Sequence, residues 1–234
     1  MLKRCVIIPA FNEEKTVGRV IAGIKASTDA DLVVIDDGSQ DRTAEISTNA
    51  GAYVIRHPFN MGYGAALQTG YKYALQENYD ALVQMDADGQ HDPGSIPDFF
   101  SQIAAGQCHV IIGSRFLGNK NYPIGLLKSA AIWIFKKIIW IISRQRITDP
   151  TSGYQCLHRR VFSFFVDDGF PSDYPDANII VCLYRLGFVV KEIPVTMVQN
   201  PCGKSMHRGL WTIAYYFFNI FLSLFVGLIR RKPF

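Results

Sequence analysis

Leu32-Val33-Val34-Ile35-Asp36-Asp37-Gly38-Ser39-Gln40-Asp41-Arg42-Thr43 changes character halfway. Four apolar residues run without alternation, stop at two acids, a glycine and a serine, and lead into a short polar helix expected over 41–48. A short unbroken apolar run bounded by turn residues reads as a strand buried on both faces. The pattern repeats outward in both directions. Residues 5–8 form such a run, which Pro9 is expected to end. Val17, Val20, Ile21 and Ile24 then follow at helical spacing across 16–24. Further on, 52–55, 81–85 and 110–112 read as strands, and 64–75 and 96–103 as helices. Strands alternating with helices predict an α/β fold with a mostly parallel sheet sandwiched by helices. Ligands of such sheets bind outside the carboxyl ends of the strands. Asn12-Glu13-Glu14, Asp36-Asp37 and Asp86-Ala87-Asp88 all fall at that edge.

Composition narrows the function. Nearly half of the 234 residues are apolar, which excludes a disordered chain, a collagen-like fibre or a disulfide-stapled miniprotein. The five cysteines are odd in number and have no CxxC spacing, so zinc and dithiol readings fail. The apolar run after Met1-Leu2-Lys3-Arg4 is too short for a signal peptide, so a cytoplasmic body is expected. The net charge of +4 is unevenly spread. Residues 120–148 hold six basic side chains and no acid, and 199–234 hold five and no acid. The rest is acidic, so the two basic, apolar segments are expected to meet something anionic.

Within the first segment, 124–143 places Lys128-Ser129, Lys136-Lys137 and Ser143-Arg144 about every seven residues among Trp133, Phe135, Trp140 and several isoleucines. A basic helix with a broad aromatic and aliphatic face predicts one lying in a membrane interface. Residues 210–229 carry no charge, yet Thr212, Tyr216, Asn219, Ser223 and Gly227 line one side. A spanning helix would place Arg230-Arg231-Lys232 opposite a cytoplasmic body. A second interfacial helix is therefore expected, whose polar stripe can also serve self-association into a homo-oligomer. The domain reading is a catalytic body over 1–206 and a membrane-associated helix over 207–234.

Asp86 and Asp88 alternate at a strand end, where two carboxylates converge on one divalent cation; Gln90 supplies a further oxygen. The turn at 36–41 has more acids than a helix cap needs, and the extra carboxylate can accept from a nucleobase N–H or a ribose hydroxyl. Asn60-Met61-Gly62-Tyr63-Gly64 opens a helix with small residues, a setting that attracts phosphate. There is no GxxxxGK[ST], and no GxGxxG with a following acid, so P-loop and dinucleotide readings fail. Nothing in the charge pattern points to nucleic acid.

Taken in order, several stretches resemble the family 2 glycosyltransferases of GT-A (Rossmann-like) fold. They are Val6-Ile7-Ile8-Pro9-Ala10-Phe11-Asn12-Glu13-Glu14, the 33–43 run, residues 60–67, Met85-Asp86-Ala87-Asp88-Gly89-Gln90-His91-Asp92-Pro93 and Gly113-Ser114-Arg115. Asp149-Pro150-Thr151-Ser152-Gly153-Tyr154 and Glu192-Ile193-Pro194-Val195 continue the likeness, which covers about residues 3–206. Within that family it is similar to the dolichyl-phosphate mannose synthases and bacterial polyprenyl-phosphate glycosyltransferases. The resemblance implies inverting transfer of a sugar from a UDP- or GDP-sugar to a polyprenyl phosphate at the cytoplasmic face of the membrane, with Mg²⁺ or Mn²⁺. It implies donor binding by Pro9, Phe11, Glu13, Asp36, Asp37, Gly62 and Asp86, and metal binding by Asp86, Asp88 and Gln90. On the acceptor side it points to Arg115, Lys128 and Lys204, and Asp88, Arg115 and Asp176 are expected to carry the reaction. Two departures stand out. The family's Arg-x-x-Gly-x-Ser-Lys reads Asn200-Pro201-Cys202-Gly203-Lys204-Ser205-Met206, and its Gly-Phe-Arg reads Gly153-Tyr154-Gln155. Two alternatives stay open on the residues: a hydroxyl of a lipid-linked or polysaccharide acceptor, for which Asp176 would be the base, and a non-catalytic membrane-bound binder of nucleotide sugars.

Overall fold

A computed structural model describes residues 2–118, 126–166 and 177–197. Seven strands form one sheet: β1 (Arg4–Ala10), β2 (Asp31–Asp36), β3 (Tyr53–Arg56), β4 (Ala81–Gln84), β5 (Val110–Ser114), β6 (Gln155–His158) and β7 (Val190–Pro194). Their order is β3-β2-β1-β4-β6-β5-β7. All pairings are parallel except those of β6, which runs antiparallel between β4 and β5. The sheet is thus mostly parallel and flanked by helices, as the alternating pattern predicts.

Strand side chains alternate between two cores. Ile7, Val33 and Ile35 join the side covered by α3 (Tyr63–Gln76), α5 (Leu126–Ser143), α6 (Arg159–Phe165) and α7 (Ala177–Arg185). Val6, Ile8 and Val34 join the side covered by α1 (Val17–Ser27) and α4 (Ile96–Ala104). The short helix α2 (Thr43–Asn49) follows β2. Helix α3 lies very close to β1: a Cβ on Gly70 would stand 2.9 Å from Ile7 Cδ1.

One boundary differs from the sequence expectation for a clear reason. Pro9 does not end β1, which continues to Ala10. The Ile7 carbonyl faces β4, accepting from the Met85 N–H, and the Ala10 carbonyl faces β2, accepting from the Asp37 N–H. Odd-numbered positions of β1 therefore point their backbone groups at β4, whose pairing stops at Ile7. The N–H that Pro9 lacks would have pointed where no ladder remains.

In α5, Ile132, Phe135 and Ile139 are buried, while Trp133, Ile134, Trp140 and Ile141 are exposed. Phe135 is therefore core, not part of the outward aromatic face expected from sequence. Among the described residues no helix is long and apolar enough to cross a membrane. The expected helix at 207–234, Lys204 and Asp176 lie outside the described residues, as does the side chain of Lys128.

Candidate active site

The loops after β1 and β2 are stitched together by side-chain-to-backbone bonds. The Asn12 N–H donates to Ser39 Oγ at 2.9 Å, and Asn12 Oδ1 accepts from the Gln40 N–H at 2.9 Å. Asn12 sits at φ 56, in the left-handed region where asparagine is among the best tolerated side chains. The Glu13 N–H donates to Thr43 Oγ1, and Glu14 and Asp41 exchange bonds with each other's loops. Pro9 is buried in β1, and Phe11 stands exposed just beyond it.

The neighbouring acids Asp36 and Asp37 do different work. Asp37 is buried, and its carboxylate accepts from the N–H groups of Met61 and Gly62, both at 2.9 Å, and from His57 Nδ1 at 2.7 Å. It holds the 57–62 turn, at which Gly62 takes φ +99. Asp37 and the Gly62 amide, both expected on the donor side, are bonded to each other at 2.9 Å. Asp36 is fully buried, and its Oδ1 accepts from the Ser39 N–H. Arg56 Nε lies 3.1 Å from Oδ2, but its N–H is not aimed at that oxygen. Among the described residues, Asp36 Oδ2 is the buried side-chain polar atom left without a hydrogen-bond partner. The Arg56 guanidinium offsets the charge of this oxygen as an ion pair rather than a directed hydrogen bond.

Asp86 follows β4, with Ala87, Asp88 and Gly89 turning the chain; the Gln90 N–H closes the turn on Asp88 Oδ1 at 2.9 Å. Burial raises the Asp86 carboxyl above the usual range, against the Tyr63 hydrogen bond and the charge of Arg115, which lower it. Burial and then the charge of Asp86 raise Asp88. Glu13 is raised by burial, with Asp88, Asp41 and Asp86 adding to it against a Thr16 hydrogen bond. Carboxylates that burial and mutual repulsion push toward neutrality are poised to accept a cation. Among the described residues no three His, Cys, Asp or Glu side chains form a metal cage. Asp86 and Asp88 supply oxygen donors of the kind Mg²⁺ takes, which typically uses one or two carboxylates and completes its shell with substrate phosphates and water.

His91 is buried and stacks on Tyr154, with ring centroids 4.8 Å apart. Its Nδ1 accepts from the Asp86 N–H at 3.3 Å, and burial holds the imidazole down to about 4, so it is neutral. It braces the turn from behind.

Arg115 leaves the end of β5 and forks onto Asp149. Its Nε and Nη2 donate to Oδ2 and Oδ1, both at 2.7 Å, and its backbone N–H adds a third bond. Asp149 is fully buried and is itself placed from β7, since Glu192 accepts from the N–H groups of Thr148 and Asp149. Sequence reading marked Arg115 but assigned no partner to it; the pairing joins segments 34 residues apart.

Residues 5–170 match the family model described as Glycosyl transferase family 2. The chain belongs to that family. It is 34% identical over 228 residues to the Dolichol-phosphate mannosyltransferase of Pyrococcus furiosus, covering 92% of this chain and 62% of that one. With the Undecaprenyl-phosphate mannosyltransferase of Micrococcus luteus it shares 28% over 214 residues, 87% and 86% of the two chains. Among solved structures it is similar to glucosyl-3-phosphoglycerate synthase from Mycobacterium tuberculosis, solved with Mn²⁺, uridine-diphosphate-glucose and phosphoglyceric acid. That likeness has a TM-score of 0.73 at 18% identity and covers 96% of this chain and 79% of that one, which shows the shared fold.

Proposed function

We propose that this glycosyltransferase moves a hexose from a nucleoside-diphosphate sugar to a polyprenyl phosphate at the cytoplasmic surface of a membrane. Two relatives that act on undecaprenyl or dolichol phosphate, by their names, cover most of this chain. The observation that carries the reading lies on α5. Trp133, Ile134, Trp140 and Ile141 are exposed along one helical face, with Lys137 4.9 Å over the Trp133 ring and Arg144 5.2 Å over the Trp140 ring. An amphipathic surface of tryptophan, isoleucine and cations suits the headgroup layer of an anionic bilayer. The same helix reaches the site: Lys136 lies 5.1 Å over the Phe116 ring, next to Arg115.

Asp36 would accept from the base and Glu13 and Phe11 would flank the nucleotide. Asp86 and Asp88, with Gln90 beside them, would hold Mg²⁺ or Mn²⁺, which when bound supplies charge neutralisation at the leaving diphosphate. A phosphate oxygen of the acceptor attacks the anomeric carbon from the face opposite the diphosphate; the new C–O bond forms as the old one breaks, with inversion. A phosphate monoester has its second pKa near about 6, so this nucleophile is already largely ionised and needs no base. Arg115, held rigid by Asp149, orients the acceptor phosphate.

The test is a transfer assay with full-length protein, a panel of labelled nucleotide sugars, polyprenyl phosphate and either cation. The expected result is label entering the organic phase and lost with EDTA. Donor consumption without organic-phase label would move the acceptor to a hydroxyl and overturn the lipid-phosphate reading.

A further inference from the structure

Tyr63 is the first residue of α3, and its hydroxyl donates to Asp86 Oδ1 at 2.9 Å. The phenol is fixed from two sides. Behind it, Asp37 clamps the Met61 and Gly62 amides, and His57 clamps Asp37 in turn. Against it stands Gly153, where a Cβ would lie 3.0 Å from Tyr63 Oη and 3.5 Å from Asp86 Oδ2. The Gly153 carbonyl is held by Gln84 Nε2 at 3.1 Å, and Gln84 Oε1 takes the buried hydroxyl of Tyr71. On the outer oxygen of Asp86, His91 Nε2 stops at 3.8 Å, beyond hydrogen-bond reach. One oxygen is thus engaged by a fixed hydroxyl while the other stays at hand on a side chain that is 33% exposed. Phenylalanine would fill the same space, so the hydroxyl is what the position adds.

We infer that Tyr63 is a positioning residue for the cation centre: its hydroxyl holds the Asp86 carboxylate so that Oδ2 faces the divalent cation. It also ties that centre to the turn at 36–38, because one short path runs from Asp37 through the Gly62 amide to the phenol. The inference rests on the reading of Asp86 as a cation ligand. Partners in the outer shell of a metal site fix the orientation of its ligands, and losing one typically weakens metal binding about 10- to 100-fold.

Binding of Mn²⁺ to the full chain, followed by electron paramagnetic resonance with UDP or, separately, GDP present, tests it without relying on turnover. Tyr63→Phe should weaken Mn²⁺ binding about 10-fold, with nucleotide binding in EDTA unchanged and the melting temperature lowered no more than one lost hydrogen bond accounts for. Gly153→Ala, which keeps the tyrosine but crowds its hydroxyl, should weaken Mn²⁺ binding in the same direction. Asp86→Asn separates the two levels of the argument. If Asp86→Asn abolishes Mn²⁺ binding while Tyr63→Phe and Gly153→Ala bind like wild type, the positioning role is wrong and the cation centre stands. If wild-type protein and Asp86→Asn bind Mn²⁺ alike, the cation reading fails and takes this inference with it.

Discussion

Asp86 and Asp88 sit in a setting that works against their charge, and this has a sign that can be measured. Both carboxyls are raised, so the folded, metal-free protein holds these protons more tightly than the unfolded chain does. The two groups therefore favour the fold at low pH and weigh against it as pH rises through their folded values. Cation binding needs them ionised. Mn²⁺ affinity is expected to fall as pH drops from neutral into the mildly acid range, above where ordinary carboxylates titrate; a titration flat across that window would count against the pair as ligands. Asp88→Asn should raise the melting temperature of the metal-free protein and cost sugar transfer several kcal/mol, at least about 100-fold in kcat/KM. Asp36 and Asp37 should respond differently. Asp37→Ala strips partners from two amides and a buried histidine, and should cost about 3 kcal/mol in urea denaturation. Asp36→Asn keeps the Ser39 bond but loses the Arg56 ion pair, so it should cost about 1–3 kcal/mol, less than Asp37→Ala, while nucleotide binding weakens about 10-fold or more, as expected for a lost bond to a charged acceptor. The sequence displays two adjacent acids after a strand and cannot rank them, because the difference lies in what residues 57 to 62 bring to one of them.

Helix α5 shows the same limit one level up. Its periodic basic positions predict an amphipathic helix, and the helix is there. Which aromatics face outward is decided by packing: Phe135 goes into the core beside Ile139, while Trp133 and Trp140 line up under Lys137 and Arg144. The two kinds of aromatic should separate by experiment. Trp133→Ser and Trp140→Ser should each reduce co-sedimentation with phosphatidylglycerol-rich vesicles about 10-fold, in line with roughly 1.5–3 kcal/mol for a buried large apolar side chain. Transfer to a short, soluble polyprenyl phosphate should persist in both. Phe135→Ala should instead cost about 3–5 kcal/mol of stability. Vesicle binding by the double Trp→Ser variant equal to wild type would remove α5 as the membrane contact.

Over the whole molecule, β6, β7 and α6 are elements that the sequence pattern does not show, and β6 matters most for the site. Gln155-Cys156-Leu157-His158 is short and mixed in character, and antiparallel insertion into a parallel sheet leaves no local mark. Yet this insertion carries the 149–153 loop to the carboxyl edge beside β4 and β5, where Asp149 meets Arg115 and Gly153 meets Tyr63. Edge strand β7 then locks the loop through Glu192, which also accepts from Thr148 Oγ1. Glu192→Ala should leave two N–H groups unpaired, costing about 2–3 kcal/mol, and should lower kcat/KM about 10-fold by loosening Arg115. Nucleotide binding should stay as in wild type; a matching loss there would mean global damage instead.

By itself the sequence determined the layered α/β class, the glycosyltransferase family, and the gathering of acids at the carboxyl ends of β1, β2 and β4. Those features are written in short-range periodicity, in strand-ending residues and in ordered motifs, all of which are local. Tertiary structure alone decided that Pro9 stays within a central strand, that Asp37 holds the 57–62 turn while Asp36 pairs with Arg56, and that Tyr63 meets Asp86, Arg115 meets Asp149 and Glu192 holds the 148–149 amides. Each of those depends on which backbone or side chain arrives from dozens of residues away, and hydrogen-bond satisfaction in a buried site is set by that arrival, not by neighbours in the chain.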